Sequence, residues 1–170
     1  MITEYFNKII DFLNKINNVD LFLTAELIRS CKGNIFVCGN GGSAATASHF
    51  AQDMNKMCNY RFICLNDNIP SLLAYGNDVG FDQIFILQLS RFIKPDDVVI
   101  GFSCSGNSQN VINAVIHAKQ QGCVTIGFTG FDGGQLRKLV DANIYVNSND
   151  MQVCEDIHLI MTHTLMKLLK

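Results

Sequence analysis

The chain has 170 residues, of which 48% are hydrophobic and 16% charged, and its formal net charge is −2. This length suffices for one ordinary domain with its own hydrophobic core, and so apolar a composition excludes a disordered chain. The 13 basic and 15 acidic residues lack the basic excess of nucleic-acid-binding proteins, so no nucleic-acid partner is expected.

Neither the apolar runs nor the start of the chain indicates a membrane or secreted protein. No apolar run approaches the roughly 20 residues that span a bilayer, and Met1 to Tyr5 lacks the basic segment of a signal peptide. The seven cysteines form no CxxC pair, which is typical of buried thiols in a reducing compartment. We therefore expect a cytoplasmic protein with no membrane partner.

Two helical segments open the chain. The apolar spacing predicts one helix over residues 4–16 and a second from about Leu21, with Gly33 as its C-terminal cap. Both segments are rich in large apolar residues. We therefore expect each of them to bury one face on the domain and another on a partner subunit.

From residue 34 onward, short apolar runs alternate with helical stretches. Strands are predicted at residues 34–38, 61–65, 97–102, 123–128 and 144–146. Helices are predicted at residues 44–56, 111–121 and 153–169. Because the strands are continuously apolar and alternate with helices, the pattern indicates an α/β fold with a parallel sheet covered on both faces.

No internal repeat, linker or proline-rich stretch marks a domain boundary. We interpret residues 1–170 as a single domain. Its N-terminal helical segment is expected at residues 1–33, and its core of sheet and helices at residues 34–170.

Polar turns follow three of the predicted strands, at residues 103–108, 39–43 and 129–134, where ligands bind in sheets of this kind. Residues 103–108 carry three serine hydroxyls directly before a helix, and a helix N-terminus with added hydroxyl donors favours an anion. We interpret this turn as a phosphate cradle, since a simple helix cap needs only one such residue. The second turn, residues 39–43, contains three glycines, which permit close approach of the backbone to a ligand.

Titratable residues cluster on two of the predicted helices. His49 and Asp53 are four residues apart and share one helix face. On the last helix, spacing alone leaves open whether Glu155 or Asp156 lies on the side of His163. An isolated histidine on a helix is more often structural or solvated, but two histidines with nearby carboxylates can bind a divalent metal or transfer protons.

Taken together, these residues resemble the sugar isomerase (SIS) domain family. Within it they are most similar to the phosphoheptose isomerases, which interconvert sedoheptulose 7-phosphate and a manno-heptose 7-phosphate. The similar segments follow the family's order along the chain, at residues 38–43, 49–51, 76–81, 103–108, 129–134, 155–158 and 163. The resemblance implies a five-stranded parallel sheet between helices, and a homotetramer packed through the N-terminal helices.

The resemblance also implies roles for individual residues. It implies that a sugar phosphate is contacted by Asn40, Gly41, Gly42, Ser43, Asp53, Asn77, Asp78, Ser103, Cys104, Ser105, Ser108 and Glu155. It implies one zinc ion (Zn2+) per subunit, held by His49, Asp53, Glu155 and His163. Of these residues, Asp53 and His163 would transfer the protons.

Three of these positions depart from the family's pattern. Asp53 replaces a glutamate and is one methylene shorter, Glu155 replaces a glutamine and adds a charge, and Cys104 replaces a threonine and is a poorer donor. A misplacement of about 1 Å can cost about 10²-fold in rate, yet two histidines with two carboxylates hold zinc well. We therefore interpret the site as altered but active, with Asp53 more a metal ligand than a base.

The function that follows from the resemblance is a phosphosugar isomerase. It would convert sedoheptulose 7-phosphate to D-glycero-D-manno-heptose 7-phosphate by proton transfer through an enediol, for the heptose of lipopolysaccharide or capsule. Two alternatives stay open. One is an isomerase of a different sugar phosphate, and the other is a non-catalytic SIS protein that binds a phosphosugar or serves as an adaptor, as in replication initiation.

Overall fold

A five-stranded parallel sheet forms the centre of the molecule, for which a computed structural model describes residues 2–170. The strands lie in the order β2-β1-β3-β4-β5. Their bounds are Ile35–Gly39 for β1, Phe62–Cys64 for β2, Val98–Ser103 for β3, Val124–Thr129 for β4 and Ala142–Tyr145 for β5. The predicted parallel sheet is confirmed, and each strand overlaps its predicted range.

Helices cover both faces of this sheet. They are α1 (Ile2–Leu13), α2 (Asn18–Ser30), α3 (Gly42–Met57), α4 (Ile69–Asp78), α5 (Ile86–Leu89), α6 (Gln109–Gln120), α7 (Leu136–Leu139) and α8 (Met151–Leu169), with a 3₁₀ turn at Phe81–Gln83. Across residues 2–170, none of the helices combines the length and the apolar character that crossing a membrane requires.

Two hydrophobic layers hold the helices to the sheet. One layer packs α2, α3 and α8 on one face, with α1 partly buried against it. The other layer packs α5, α6 and α7 on the opposite face. Successive strand residues such as Phe36 and Val37 enter opposite layers, because side chains alternate along a strand. Both faces are therefore buried, which explains the continuously apolar strands.

The end of α2 differs from the prediction. The helix stops at Ser30, and its C-terminal cap is Cys31, whose backbone N–H donates to the Ile28 carbonyl. Gly33 lies beyond the helix and donates its N–H to the Asp96 carbonyl at 3.1 Å. A Cβ at Gly33 would overlap the Asp96 backbone and the Asp97 carboxylate. The glycine is thus needed for a close chain approach beside β1, and not as a helix cap.

No element is predicted between residues 66 and 96, where the structure contains α4 and α5. A start signal for α4 is nevertheless present in the sequence. Asn68 caps the helix by accepting a hydrogen bond from the Ser71 N–H, and Pro70 follows in the first turn.

Candidate active site

A cavity of about 450 Å³ lies beyond the carboxyl ends of β1 and β3. These two neighbouring strands lie where the strand order reverses, which is the usual ligand position in an open α/β sheet. The cavity is lined by Asn40, Gly41, Gly42, Ser43, Phe102, Ser103, Cys104, Ser105, Ser108, Met151 and Glu155. The structure therefore brings together nine of the twelve residues for which a substrate contact was expected.

The turn after β3 keeps the N-terminus of α6 open. Ser108 occupies the N-cap position but its side chain makes no capping bond. Its hydroxyl instead accepts a hydrogen bond from the Ser103 hydroxyl at 3.0 Å. The N–H groups of Gln109 and Asn110, the first two of α6, are thus left without a side-chain cap, as an anion site requires, whereas the Val111 N–H donates to Asn110 Oδ1. This arrangement favours the phosphate cradle over the simple helix cap.

The glycine-rich turn after β4, residues 130–134, packs against the turn that forms this cradle. Gly106 has a φ of +66°, and a Cβ there would collide with the Gly133 carbonyl group. The Gly106 carbonyl also accepts a hydrogen bond from the Leu136 N–H at 2.9 Å. Glycine is therefore required at position 106, both for its backbone conformation and for its packing.

Cys104 forms part of the cavity wall without adding charge. Its sulfur lies 3.8 Å from the Ser43 hydroxyl, so the side chain links the turns after β1 and β3. A hydrogen bond with the Cys154 sulfur and burial both raise the pKa of the Cys104 thiol far above its usual range. The thiol stays protonated at neutral pH, which suits a wall beside a bound phosphate.

A second group of side chains lies where α3 packs against α8. The Nε2 atoms of His49 and His163 are 3.0 Å apart, and the Asp53 carboxylate lies 3.4 Å from the first and 3.6 Å from the second. Both histidine side chains are 46% exposed, whereas Asp53 is 18% exposed. We call these three residues the His–Asp cluster.

The His–Asp cluster has the dimensions of a metal site. Ligand atoms about 2.05 Å from a tetrahedral zinc ion lie about 3.3 Å from one another, close to the three distances above. The donor set, two imidazoles and one carboxylate, also suits zinc. These residues fit a metal ion, and three ligands leave one position open, as in catalytic zinc sites.

The two carboxylates that spacing left open on α8 point in different directions. Asp156 faces α1, where it accepts a hydrogen bond from the Tyr5 hydroxyl at 2.6 Å. Glu155 faces the cavity. It does not join the three ligand atoms of the His–Asp cluster in this arrangement.

Glu155 belongs to α8, and its carboxyl group lies at the N-terminus of α3. Its carboxyl group lies against Gly42, where a Cβ would overlap it, and it accepts a hydrogen bond from the Ser43 backbone. Burial and the neighbouring Asp156 together raise the pKa of Glu155, although the Ser43 bond opposes them. At Gly42, the group that comes close to the backbone is therefore the Glu155 carboxyl group.

Two expected substrate residues, Asn77 and Asp78, lie outside the cavity of the cradle. Asn77 lines a neighbouring cavity of about 510 Å³, whose wall also contains Asn40 and Gly41. Asp78 is exposed and accepts a hydrogen bond from Asn77 at 2.7 Å. The structure thus links this pair to the site only through the turn after β1.

Two asparagines that sequence reasoning missed hold that turn. Asn66 accepts from the Gly39 N–H at 3.1 Å and donates to the Gly39 carbonyl at 2.9 Å, so its amide continues the ladder beyond β2. Asn110 pairs with the side chain of Asn40. The available signal for Asn66 was a polar residue directly after a predicted strand.

Comparisons with known proteins identify the family of this chain. The model of the SIS domain family matches residues 4–130. The phosphoheptose isomerase of Aliarcobacter butzleri is 41% identical over 140 residues, which cover 79% of this chain and 74% of that protein. The phosphoheptose isomerase of Syntrophotalea carbinolica is 36% identical over 186 aligned residues, covering 99% of this chain and 92% of that protein.

A solved structure supports the same family assignment. The phosphoheptose isomerase GmhA from Neisseria gonorrhoeae superimposes with a TM-score of 0.94 at 31% identity, over 99% of this chain and 97% of that chain. Since both the family model and full-length relatives match, this chain belongs to the SIS domain family and, within it, to the phosphoheptose isomerases.

Proposed function

We propose that this protein isomerises sedoheptulose 7-phosphate to D-glycero-D-manno-heptose 7-phosphate for heptose biosynthesis, such as that of lipopolysaccharide or capsule. The observation that carries the proposal is the pairing of an open phosphate cradle with the His–Asp cluster, both placed against α8. The names of the relatives described above point to the same reaction.

The cradle is proposed to hold the phosphate through the hydroxyls of Ser103, Ser105 and Ser108 and the N–H groups of α6. Glu155, at the cavity, and His163 are eight residues apart on α8, which corresponds to about 12 Å along the helix. A seven-carbon chain with its ester oxygen, joined by bonds of about 1.5 Å, extends roughly 10 Å. This match in length supports a long sugar phosphate, whose reacting carbons would lie near the cluster.

The proton transfer is assigned to Asp53 and His163. Moving a proton between C1 and C2 requires a base and an acid beside the two carbons. The Asp53 carboxylate lies within 3.6 Å of both imidazoles, so the cluster combines an acceptor with groups that hold or release a proton. Its partial exposure leaves room for the substrate.

One zinc ion per subunit is the proposed cofactor. His49, Asp53 and His163 are its proposed ligands. The family resemblance implies Glu155 as a further ligand, but its carboxyl group lies against Gly42, outside the His–Asp cluster. When bound, zinc supplies Lewis acidity that polarises the substrate carbonyl.

We further propose that the protein is a homotetramer packed through its N-terminal helices. On α1, Phe6 and Ile10 are 60% and 54% exposed and face a groove shared with Ile160 of α8, although the other side of α1 packs on the core. Apolar side chains so exposed favour burial against another subunit.

Native mass spectrometry tests this assembly. The expected mass is four times the 18.9 kDa of one chain. Replacing Phe6 and Ile10 together by glutamate is expected to dissociate the tetramer, because it places charges in the apolar groove. Phe92→Glu, at a residue 65% exposed outside this groove, is the matched control. A monomeric wild type would contradict the proposal.

The proposed location is the cytoplasm. All seven cysteines are free thiols, and unpaired thiols in this number are typical of a reducing compartment.

The test of the proposed function is an isomerase assay on sedoheptulose 7-phosphate, with and without added zinc, in which NMR follows the aldoheptose phosphate. We expect turnover that rises with zinc and is lost on chelation. Binding of the sugar without turnover at any zinc level would favour a non-catalytic protein. Turnover of another sugar phosphate alone, such as a six-carbon ketose 6-phosphate, would favour a different isomerase.

A further inference from the structure

A partly buried amide pair joins the two turns that form the cavity. The Asn40 side chain donates from Nδ2 to Asn110 Oδ1 and accepts at Oδ1 from Asn110 Nδ2, both at 2.9 Å. Asn110 is in the first turn of α6 and is 2% exposed. Asn40 follows β1 and lines both cavities, whereas Asn110 lines neither.

The backbone determines the direction of this pair. The N–H of Val111 donates to Asn110 Oδ1 at 3.0 Å. Because a backbone N–H can only donate, this contact identifies the oxygen of Asn110, and the oxygen in turn requires the Asn40 nitrogen opposite it. The orientation of the Asn40 amide is therefore set by α6, through Asn110.

The pair leaves Asn40 with a defined binding capacity. A carboxamide has two N–H donors and an oxygen with two lone pairs. One donor and one lone pair are used by Asn110, so one of each remains on the amide that lines the cavity. A hydroxyl group, which both donates and accepts, matches that remainder.

We propose that Asn110 is a positioning residue, which holds the Asn40 amide in the orientation that binds one hydroxyl group of the sugar phosphate. This inference rests on the proposed function, since it concerns how the same site grips its substrate. The advantage is preorganisation, because the amide orientation is set before the substrate enters. Asn110 acts through Asn40 and does not touch the substrate.

A double-mutant cycle of Asn40→Ala and Asn110→Ala tests the inference. We expect Asn110→Ala to lower kcat/KM for sedoheptulose 7-phosphate about three- to tenfold, the effect of one lost hydrogen bond. In the Asn40→Ala background the second change is expected to have no further effect, because Asn110 then has nothing to orient. If the reductions in kcat/KM of the two single variants instead multiply in the double variant, and the melting temperature falls with them, Asn110 has a structural role and the inference is overturned.

Two further variants sharpen the cycle. Asn110→Asp keeps an oxygen for Asn40 Nδ2 but loses the donor to Asn40 Oδ1, so an intermediate loss is expected. Asn113→Ala, on the same helix but with its amide bonded to the Asp82 carbonyl, is the matched control and should leave kcat/KM unchanged. An effect of Asn113→Ala as large as that of Asn110→Ala would contradict the inference.

A substrate-free readout separates this inference from the proposed function. In wild-type protein, the NMR signals of the Asn40 side-chain NH₂ group are expected to be sharp and widely separated, since one proton is hydrogen-bonded. In Asn110→Ala their separation is expected to shrink towards that of a free carboxamide, because the hydrogen bond of one proton is lost. Unchanged signals would overturn the inference even in an active enzyme. The expected change in a protein without turnover would leave the inference standing while the proposed function failed.

Discussion

The variant His163→Ala is expected to lose nearly all isomerase activity, with kcat/KM on sedoheptulose 7-phosphate reduced by at least about 10²-fold. The imidazole supplies one of the two Nε2 atoms that lie 3.0 Å apart in the His–Asp cluster, and it also lies 3.6 Å from Asp53. Its removal takes away a proposed proton carrier and a proposed zinc ligand together. Steady-state kinetics and the zinc content of the purified variant measure the two effects.

The control for this variant is His117→Ala. His117 lies in the last turn of α6, away from the cavity and the cluster, so kcat/KM should stay within about twofold of wild type. Titrating zinc into His163→Ala separates the two roles, because activity that returns at high zinc would identify metal binding as the main loss. Activity of His163→Ala near that of wild type without added zinc would contradict the assignment of this cluster as the reacting site.

The sheet and the two cavity turns follow from local sequence signals. In β3, residues 98–103 are all buried because helices cover both faces, and the strand is accordingly apolar from Val98 to Phe102. The polar turns after β1 and β3 then meet at one edge of the sheet, since parallel strands end together. For this reason the cradle, Ser103 to Ser108, could be predicted from the sequence.

The direction in which a helical side chain points could not be predicted from the sequence. Glu155 and Asp156 are adjacent on α8, and helical periodicity does not decide which one faces the cavity. Tertiary packing decides it, because the Tyr5 hydroxyl on α1 binds the Asp156 carboxylate and Glu155 reaches Gly42. The same limit explains why Asn110 was missed. Its contact with Asn40 joins residues 70 positions apart and depends on how β1 and β3 are aligned.

The His158 side chain is expected to destabilise the folded protein by about 3 kcal/mol as the pH falls from about 6.5 to about 4. It is fully buried beside Phe102 and Phe128, and its Nε2 lies 3.2 Å from the Thr129 carbonyl. The carbonyl only accepts, so Nε2 carries the proton, while Nδ1 is buried without a hydrogen-bond partner among residues 2–170. Burial therefore lowers the pKa of His158 from 6.5 to about 4.

The direction of the change in the free energy of unfolding depends on whether the folded or the unfolded state binds the proton at the higher pH. Between pH 6.5 and 4 the unfolded chain protonates His158 while the folded protein does not, so the free energy of unfolding falls as the pH falls. Denaturant unfolding at pH 7.5 and at pH 4.5 measures this loss in wild type and in His158→Gln. The glutamine keeps a donor for the Thr129 carbonyl but does not titrate, so its loss between the two pH values should be smaller by up to about 3 kcal/mol.

An equal loss in wild type and in His158→Gln would show that another group carries the effect. The site should respond over the same pH range, because Thr129 is the last residue of β4 and the next N–H, that of Gly130, donates to the Cys104 carbonyl at 2.7 Å. Protonation of His158 would thus disturb the strand end that supports the phosphate cradle.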